Sequence, residues 1–266
     1  MNMKNLSRFW KRFSWVSHLL MACIVIIVYG WALQGLKVDF QLLKDSWFHI
    51  IDFVSRLFPP NTSWDILYKT AKALVETVQM SVLGTTIGAL LSLPIAVASA
   101  RNVAPVWLRW LANFLQNAVR SVPSIILGLL FVAATGLGPL AGTLALGIYT
   151  IGYLAKFYQQ AIEAVDPRSI ESLQVAGASR LQVAQYGLLP QVLPLMLGYT
   201  LWMFEYNIRA ASVLGAVGAG GFGFELKSYI DGFEYTKATT MILILCVVVT
   251  IIDALSSKLR QRLDSM

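Results

Sequence analysis

The sequence has 266 residues, of which 57% are hydrophobic and only 13% are charged. An average soluble domain carries about 25% charged residues, so this composition predicts an integral membrane protein. The net charge of +7 fits basic residues placed beside membrane spans and gives no support to nucleic-acid binding. Two isolated histidines, and two cysteines without a C-x-x-C spacing, support neither a metal site nor a histidine-based nucleophile.

Six apolar runs follow one another along the chain, and several approach the roughly 20 residues that a helix needs to cross a bilayer. We therefore predict an all-α membrane protein with about six spans, forming a single domain over residues 1–266. The first run is too long for a secretory signal core and lacks a cleavage site, so we expect it to be retained as a span. The runs are Val16–Leu36, Leu74–Ala100, Ser121–Leu137, Leu140–Ala155, Val192–Phe204 and Ala238–Ala254.

Three groups of basic residues predict the cytoplasmic side, because lysine and arginine collect there. They lie in the N-terminal tail, in the connection between the second and third spans, and in the C-terminal tail. Both termini are therefore predicted to be cytoplasmic, with 166–190 on the same side and 37–69 and 213–237 facing outward. The residues are Lys4, Arg8, Lys11, Arg12, Arg101, Arg109, Arg120, Lys258, Arg260 and Arg262.

One outward segment, Phe40–Phe58, has apolar residues at helical spacing opposite charged ones. This pattern predicts an amphipathic helix on the outer surface, ended by Pro59 and Pro60. A peripheral packing helix is the favoured interpretation.

The polar segment Asp166–Pro190 predicts two short cytoplasmic helices. Asp166 can cap a helix that has Pro167 in its first turn, and Gly177 can end it in the left-handed conformation. Ser179 and Gln182 form a capping box that opens a second helix, with Pro190 at its end. Ile170 and Leu173 lie on one side of the first helix, and Leu181, Ala184 and Leu188 form a similar stripe on the second.

A glycine-rich segment follows the fifth apolar run, with five glycines from Gly215 to Gly223. It also satisfies G-x-G-x-x-G, but that pattern indicates a dinucleotide site only between a strand and a helix. Between two spans, it instead predicts a sharply turned or re-entrant backbone buried within the protein. The residues of this predicted gate are Gly215, Gly218, Gly220, Gly221 and Gly223.

Charged residues inside a span normally face the bundle interior or a wet cavity, because a charge at mid-bilayer costs roughly 2.5–3.5 kcal/mol. Glu205 and Arg209 have the spacing of an intrahelical ion pair, and Asn207 lies between them on another face. This cluster either lines a path for an anion or only stabilises helix packing, and the sequence favours neither. For Glu76 and Gln79, near the start of the second span, the structural interpretation is favoured.

These residues resemble a known family. One stretch reads Glu171-Ser172-Leu173, then three residues, Gly177, nine residues and Gly187-Leu188-Leu189-Pro190. It resembles the cytoplasmic coupling motif of ABC-importer permeases, E-A-A-x3-G-x9-I-x-L-P. Ser172 and Leu173 replace the two alanines, and Gly187 replaces the isoleucine. The stretch from Phe204 to Gly223 is similar to the phosphonate and phosphite branch of these permeases.

The resemblance implies a type I ABC-importer permease in the bacterial inner membrane, which is not itself an enzyme. It implies a second permease copy in a homodimer, two ATPase subunits that bind ATP and magnesium, and an extracytoplasmic binding protein. The chain needs no cofactor of its own and lacks a G-x-x-x-x-G-K-[ST] loop. The residues that would couple to the ATPase are Glu171, Leu173, Gly177, Ala178, Ser179, Leu181, Leu189 and Pro190.

The implied substrate is a phosphorus oxyanion, without a distinction between phosphite, hypophosphite and phosphonate. Two alternatives stay open. One is an importer permease for another small solute, such as an amino acid. The other is a self-contained ion-coupled carrier, which usually shows an internal inverted repeat that we do not detect.

Overall fold

A computed structural model describes residues 3–36 and 40–264, and within these ranges the chain is helical, without a strand. Two compact units are distinguished, residues 1–55 and 56–266. The helices are α1 Met3–Gly35, α2 Phe40–Arg56, α3 Trp64–Ser99, α4 Val106–Arg120, α5 Ser124–Thr135, α6 Pro139–Glu163, α7 Pro167–Val175, α8 Arg180–Gln182, α9 Leu189–Gly215, α10 Gly221–Asp231 and α11 Tyr235–Asp264, with a π-helical turn, Val183–Leu188, between α8 and α9.

Five helical segments are long and apolar enough to cross a membrane, and a bent pair brings the number to six if it counts as one span. The pair consists of α4 and α5, which meet at 84°. At about 1.5 Å per residue, the 12 residues of α5 reach only about 18 Å, less than the thickness of a bilayer core. The prediction of an all-α protein with about six spans is confirmed.

The N-terminal unit consists of α1 and most of α2. The amphipathic segment predicted from residue 40 is helical and ends at Arg56, shortly before Pro59 and Pro60. The side chains of the basic residues in the N-terminal tail, Lys4, Arg8, Lys11 and Arg12, lie outside the described part of the structure, and so do residues 37–39 of the predicted outward segment.

In the second unit, α3 packs closely against α6 through small residues. A Cβ atom added at Gly84 would lie 2.9 Å from the Cβ of Leu146, so only hydrogen fits there. Buried hydroxyls in α3 are satisfied by carbonyls one turn back, as in Thr77 to Ala73 at 2.9 Å. Small residues let helix backbones approach closely where lipid provides no hydrophobic driving force.

We expect Gly88→Ala to destabilise the protein by about 1–3 kcal/mol, the usual cost of overpacking. The added Cβ would overlap the Thr150 side chain and lie 2.9 Å from the carbonyl oxygen of Gly147. The measurement is the melting temperature of the full chain in detergent. Gly198→Ala is the matched control, because nothing lies within 4 Å of a Cβ there and alanine favours a helix. Equal melting temperatures for the two variants would contradict the close α3–α6 contact.

Candidate functional site

The first helix of the polar segment begins and ends as predicted. The Asp166 carboxylate accepts a hydrogen bond from the backbone N–H of Arg168 at 3.0 Å, and Pro167 occupies the first turn. Gly177 has a φ of 82°. The N–H of Ala178 reaches the carbonyl of Leu173 at 3.0 Å, which completes a Schellman motif. Local chemistry alone therefore fixes the bounds of α7.

The capping box of the second helix is confirmed, but the predicted end of that helix at Pro190 is wrong. The N–H of Ser179 donates to the Gln182 side chain at 2.8 Å. The chain then stays helical through the π-helical turn Val183–Leu188 into α9. The polar segment is thus continuous with a membrane-spanning helix.

Pro190 explains the π-helical turn. In a regular α-helix its ring would clash with the carbonyl of Tyr186, and it has no N–H to donate. In the wider turn the N–H of Leu189 bonds to the carbonyl of Ala184, five residues back. The helix therefore passes the proline without breaking, and α8 continues through the π-helical turn into α9.

The apolar stripes predicted for this segment are only partly exposed. Ile170 and Leu188 pack against the buried core, and a Cβ on Gly187 would lie 2.9 Å from Leu173 Cδ1. Leu173 therefore lies against the next helical segment and cannot form an open docking face. Leu181 and Ala184 are exposed as the stripe requires.

Two exposed apolar residues of this surface were missed by the sequence analysis. Val175 is 89% exposed and Tyr186 is 65% exposed, and the predicted Leu181 is 77% exposed. Neither belongs to an apolar stripe with helical spacing, so the sequence carried no signal for them. We call Val175, Leu181 and Tyr186 the apolar tip of the polar segment.

The glycine-rich segment forms a tight, buried turn between α9 and α10, as predicted. Gly218, Gly220 and Gly221 have φ values of 94°, 76° and 70°, which side-chain-bearing residues rarely adopt. A Cβ on Gly215 would lie 2.5 Å from the N atom of Phe224, and one on Gly223 would overlap the Ser212 carbonyl. Because helices flank this turn on both sides, the G-x-G-x-x-G pattern is not in a dinucleotide-binding context.

Two side chains of α3 hold the N-terminus of α10 in place. Glu76 Oε1 accepts the N–H of Gly221 at 2.7 Å, and Thr77 Oγ1 accepts the N–H of Phe222 at 2.8 Å. A carboxylate at a helix N-terminus also interacts favourably with the helix dipole. Glu76 therefore has a structural role at the start of α10, while Gln79 is exposed on α3.

A cleft of about 780 Å³ opens beside this turn. Charged residues of both signs line it, and Lys69 and Asp65 form an ion pair at 2.9 Å. Its floor includes the turn before α6, where the N–H of Gly138 donates to the carbonyl of Gly218 at 3.0 Å. The glycine turn thus forms part of the wall of a wide cleft that also carries charged side chains.

The predicted pairing of Glu205 with Arg209 is wrong, because each finds its partner on α11. Glu205, only 5% exposed, has Arg260 Nη2 at 3.1 Å. Arg209 Nη1 lies 3.1 Å from both carboxylate oxygens of Asp253. Because α11 runs antiparallel to α9, it places a charge of opposite sign next to Glu205 and next to Arg209. The two ion pairs therefore join α9 to α11.

Asn207 has a different environment from both charged neighbours. It is fully buried, and its Nδ2 donates to Thr85 Oγ1 at 2.8 Å and to Thr150 Oγ1 at 2.9 Å. One amide thereby links α3, α6 and α9. Within a single chain, Glu205, Asn207 and Arg209 therefore do not line one common path.

Comparison with known proteins identifies the family. Residues 92–265 match the binding-protein-dependent transport system inner membrane component family. The chain belongs to this family. The resemblance of the chain to importer permeases is therefore confirmed, and the chain is a permease subunit rather than an enzyme.

Several relatives of this family resemble the chain over much of its length. The phosphite transport system permease protein PtxC of Stutzerimonas stutzeri is 43% identical over 191 residues, which cover 71% of this chain and 70% of the relative. The phosphate-import permease protein PhnE of Mycolicibacterium smegmatis is 38% identical over 86% of this chain and 43% of its own length.

Solved structures show the same fold. The inward-facing MetNI methionine ABC transporter has a chain with a TM-score of 0.67 and 22% identity, covering 76% of this chain and 99% of its own. A bacterial alginate ABC transporter has a chain with a TM-score of 0.61 and 17% identity. The fold is that of type I ABC-importer permeases.

Proposed function

We propose that this chain is the permease subunit of an ATP-driven importer for a phosphorus oxyanion delivered by a binding protein. The observation that carries the proposal is the 43% identity to a phosphite transport permease across 71% of the chain. The permease named for phosphate import supports the same class of cargo. Phosphite, phosphate and phosphonates share the tetrahedral oxyanion geometry that guanidinium groups and backbone N–H groups recognise.

The coupling segment, 166–190, is the proposed docking element for a cytoplasmic ATPase that binds ATP and magnesium. Its apolar tip is exposed on a polar surface, as expected for residues that insert into a groove of a partner. Because the helical path from Arg180 runs into α9 without a break, closure of two ATPase subunits would tilt α9. Glu171, Gly177, Ala178 and Ser179 would form and orient this element.

A second copy of the chain is proposed to complete the pathway in a homodimer. The Arg209 and Asp253 side chains are 45% and 42% exposed, although both lie on membrane-length helices. Charged groups at such positions face a wet cavity or another protein surface in preference to lipid. This face would therefore lie toward the pathway between the two copies, with both termini in the cytoplasm.

The cleft beside the glycine turn would face outward and receive solute from the binding protein. It lies at the N-terminal end of α3, where Asp65 and Lys69 are. The start of α7 is at the other end of α3, because Glu163, just before α7, accepts the N–H of Arg101, just after α3. The glycine turn, held by Glu76, would act as the outer gate. The charge distribution, which puts 37–69 and 213–237 on the outer side, supports this placement.

The test is ATPase stimulation in the complex reconstituted from this permease, its ATPase and its binding protein. We expect stimulation when the binding protein is loaded with phosphite, phosphate or a phosphonate, and none when methionine is supplied. Stimulation by methionine alone would favour the amino-acid alternative. Transport by the permease without an ATPase would contradict the proposal and favour a self-contained carrier.

A further inference from the structure

Arg120, the last residue of α4, lies close to the middle of a membrane-length helix. A Cβ atom added at Gly152 would lie 3.0 Å from Arg120 Cγ, and Gly152 is near the midpoint of α6, Pro139–Glu163. The guanidinium stays at this level, because it lies over the Tyr153 ring, 5.1 Å from its centroid. It therefore does not extend to the end of α6, as cationic side chains near helix ends do when they reach for the membrane interface.

The chain provides no counter-charge for Arg120. Arg209 and Arg260 each have a carboxylate oxygen at 3.1 Å. Among the side chains that the structure describes, no carboxylate pairs with the Arg120 guanidinium, which also donates no hydrogen bond. The sequence has no Asp or Glu between Glu76 and Glu163. Because an ionised side chain at membrane depth is normally paired, the missing counter-charge points to an anion from outside the chain.

Tyr153 fixes the position of the guanidinium without using its donors. The Tyr153 ring lies 4.7 Å from that of Tyr149, whose hydroxyl shares a hydrogen bond of 2.9 Å with Tyr206. Tyr206 is three residues from Arg209 on α9, so this row of rings leads toward the face proposed for the pathway. Contact with a ring needs no oxygen acceptor. The planar fork of N–H groups on Arg120 thus stays available for two oxygens of a tetrahedral oxyanion.

The helix breaks directly after Arg120. The helices α4 and α5 meet at 84°, across residues 121–123. Irregular backbone at membrane depth is tolerated where protein buries it or where it lines a water-filled cavity. Arg120, Ser121 and Pro123 are all exposed in the single chain, so this chain does not bury the break. Water at the break would give a dissolved anion access to the guanidinium.

We propose that Arg120 is an anion-binding residue of the transport path, which holds the passing phosphorus oxyanion through its N–H donors while Tyr153 keeps the guanidinium in place. The identity of this anion rests on the proposed function. Solute sites of other membrane transporters also form beside breaks in membrane helices. A lipid headgroup phosphate offers the same chemistry, but it lies at the membrane surface and Arg120 packs near the middle of α6.

The experiment measures binding of methylphosphonate to the permease–ATPase complex without its binding protein, in a maltoside detergent that contains no phosphorus. Saturation transfer from the protein to the methyl protons detects a weak site in fast exchange. We expect transfer with the wild-type complex and its loss when phosphite competes. Arg120→Gln should weaken the binding about tenfold, because hydrogen bonds between ionised groups are among the strongest in proteins.

Arg109→Gln is the matched control and should keep the wild-type transfer, because it removes the same charge from the same side of α4, about three turns away. Arg120→Lys keeps the charge but loses the bidentate geometry. It should give intermediate transfer, even if the glutamine variant fails to fold. No transfer in the wild type, equal transfer in the wild type and both Arg120 variants, or an equal loss in Arg109→Gln overturns the site.

Two further measurements identify the source of the anion. In nanodiscs of phosphatidylcholine, added phosphatidylglycerol should leave the transfer unchanged. If it abolishes the transfer, a lipid headgroup occupies Arg120 and the transport-path assignment is overturned. If Arg120→Gln separates into single copies on size-exclusion chromatography while the wild type stays dimeric, the arginine pairs with the second copy, which also overturns the assignment.

The proposed function is read out separately, by ATPase stimulation with the loaded binding protein. Stimulation of the wild type by phosphite, without transfer that depends on Arg120, would exclude this site and leave the proposed function standing. Transfer that depends on Arg120, without stimulation by any phosphorus oxyanion, would do the reverse.

Discussion

Replacing Leu181 by aspartate is expected to abolish stimulation of ATP hydrolysis while leaving the permease folded in the membrane. Leu181 is 77% exposed in the apolar tip, so the substitution leaves no cavity and buries no charge in the isolated chain. In the assembled complex it would place an unpaired carboxylate in a desolvated contact. Loss of a central apolar anchor commonly costs about 2 kcal/mol or more, equivalent to a roughly 30-fold or greater loss of affinity.

The measurement is co-purification of the ATPase with the permease, together with ATPase activity in the reconstituted complex. Leu181→Met keeps the apolar contact and should behave as wild type. Gln185→Asp adds the same charge at a neighbouring exposed position and should have a much smaller effect. Val175→Asp, at the other exposed end of the tip, should resemble Leu181→Asp. Normal assembly by both aspartate variants would exclude the apolar tip as the docking surface.

Breaking the ion pair between Glu205 and Arg260 is expected to cause the second large effect, on stability. Glu205 is 5% exposed, so Arg260→Gln leaves a buried carboxylate without its partner. Removing one member of a buried pair costs about 3–5 kcal/mol, and the partial exposure of Arg260 favours the lower end. We expect a marked fall in the melting temperature of the full chain in detergent.

The double variant Glu205→Arg/Arg260→Glu restores opposite charges and should recover part of the lost stability. Arg209→Gln is a matched comparison on the same helix. Its pair with Asp253 is about half exposed, so its loss should cost about 1 kcal/mol or less. If Arg260→Gln leaves stability unchanged but reduces transport, the pair belongs to the pathway and not to the α9–α11 packing.

Much of the coupling segment could be predicted because its determinants are local. Asp166, Gly177 and the Ser179–Gln182 box act on backbone groups within a few residues. The number of spans followed in the same way from the lengths of apolar runs, since every backbone group in lipid must be satisfied within its own helix. These features needed no knowledge of the helix packing.

Other features depend on partners far away in the sequence, and only the tertiary structure decided them. Helical spacing suggested that Glu205 pairs with Arg209, yet Arg209 binds Asp253, 44 residues away. Glu76 holds the N-terminus of α10 across 145 residues, and Asn207 reaches Thr85 across 122. The sequence by itself determined the spans, the caps and the position of the coupling motif. Packing decided which charges meet and which apolar faces stay exposed, because those depend on the contacts between helices.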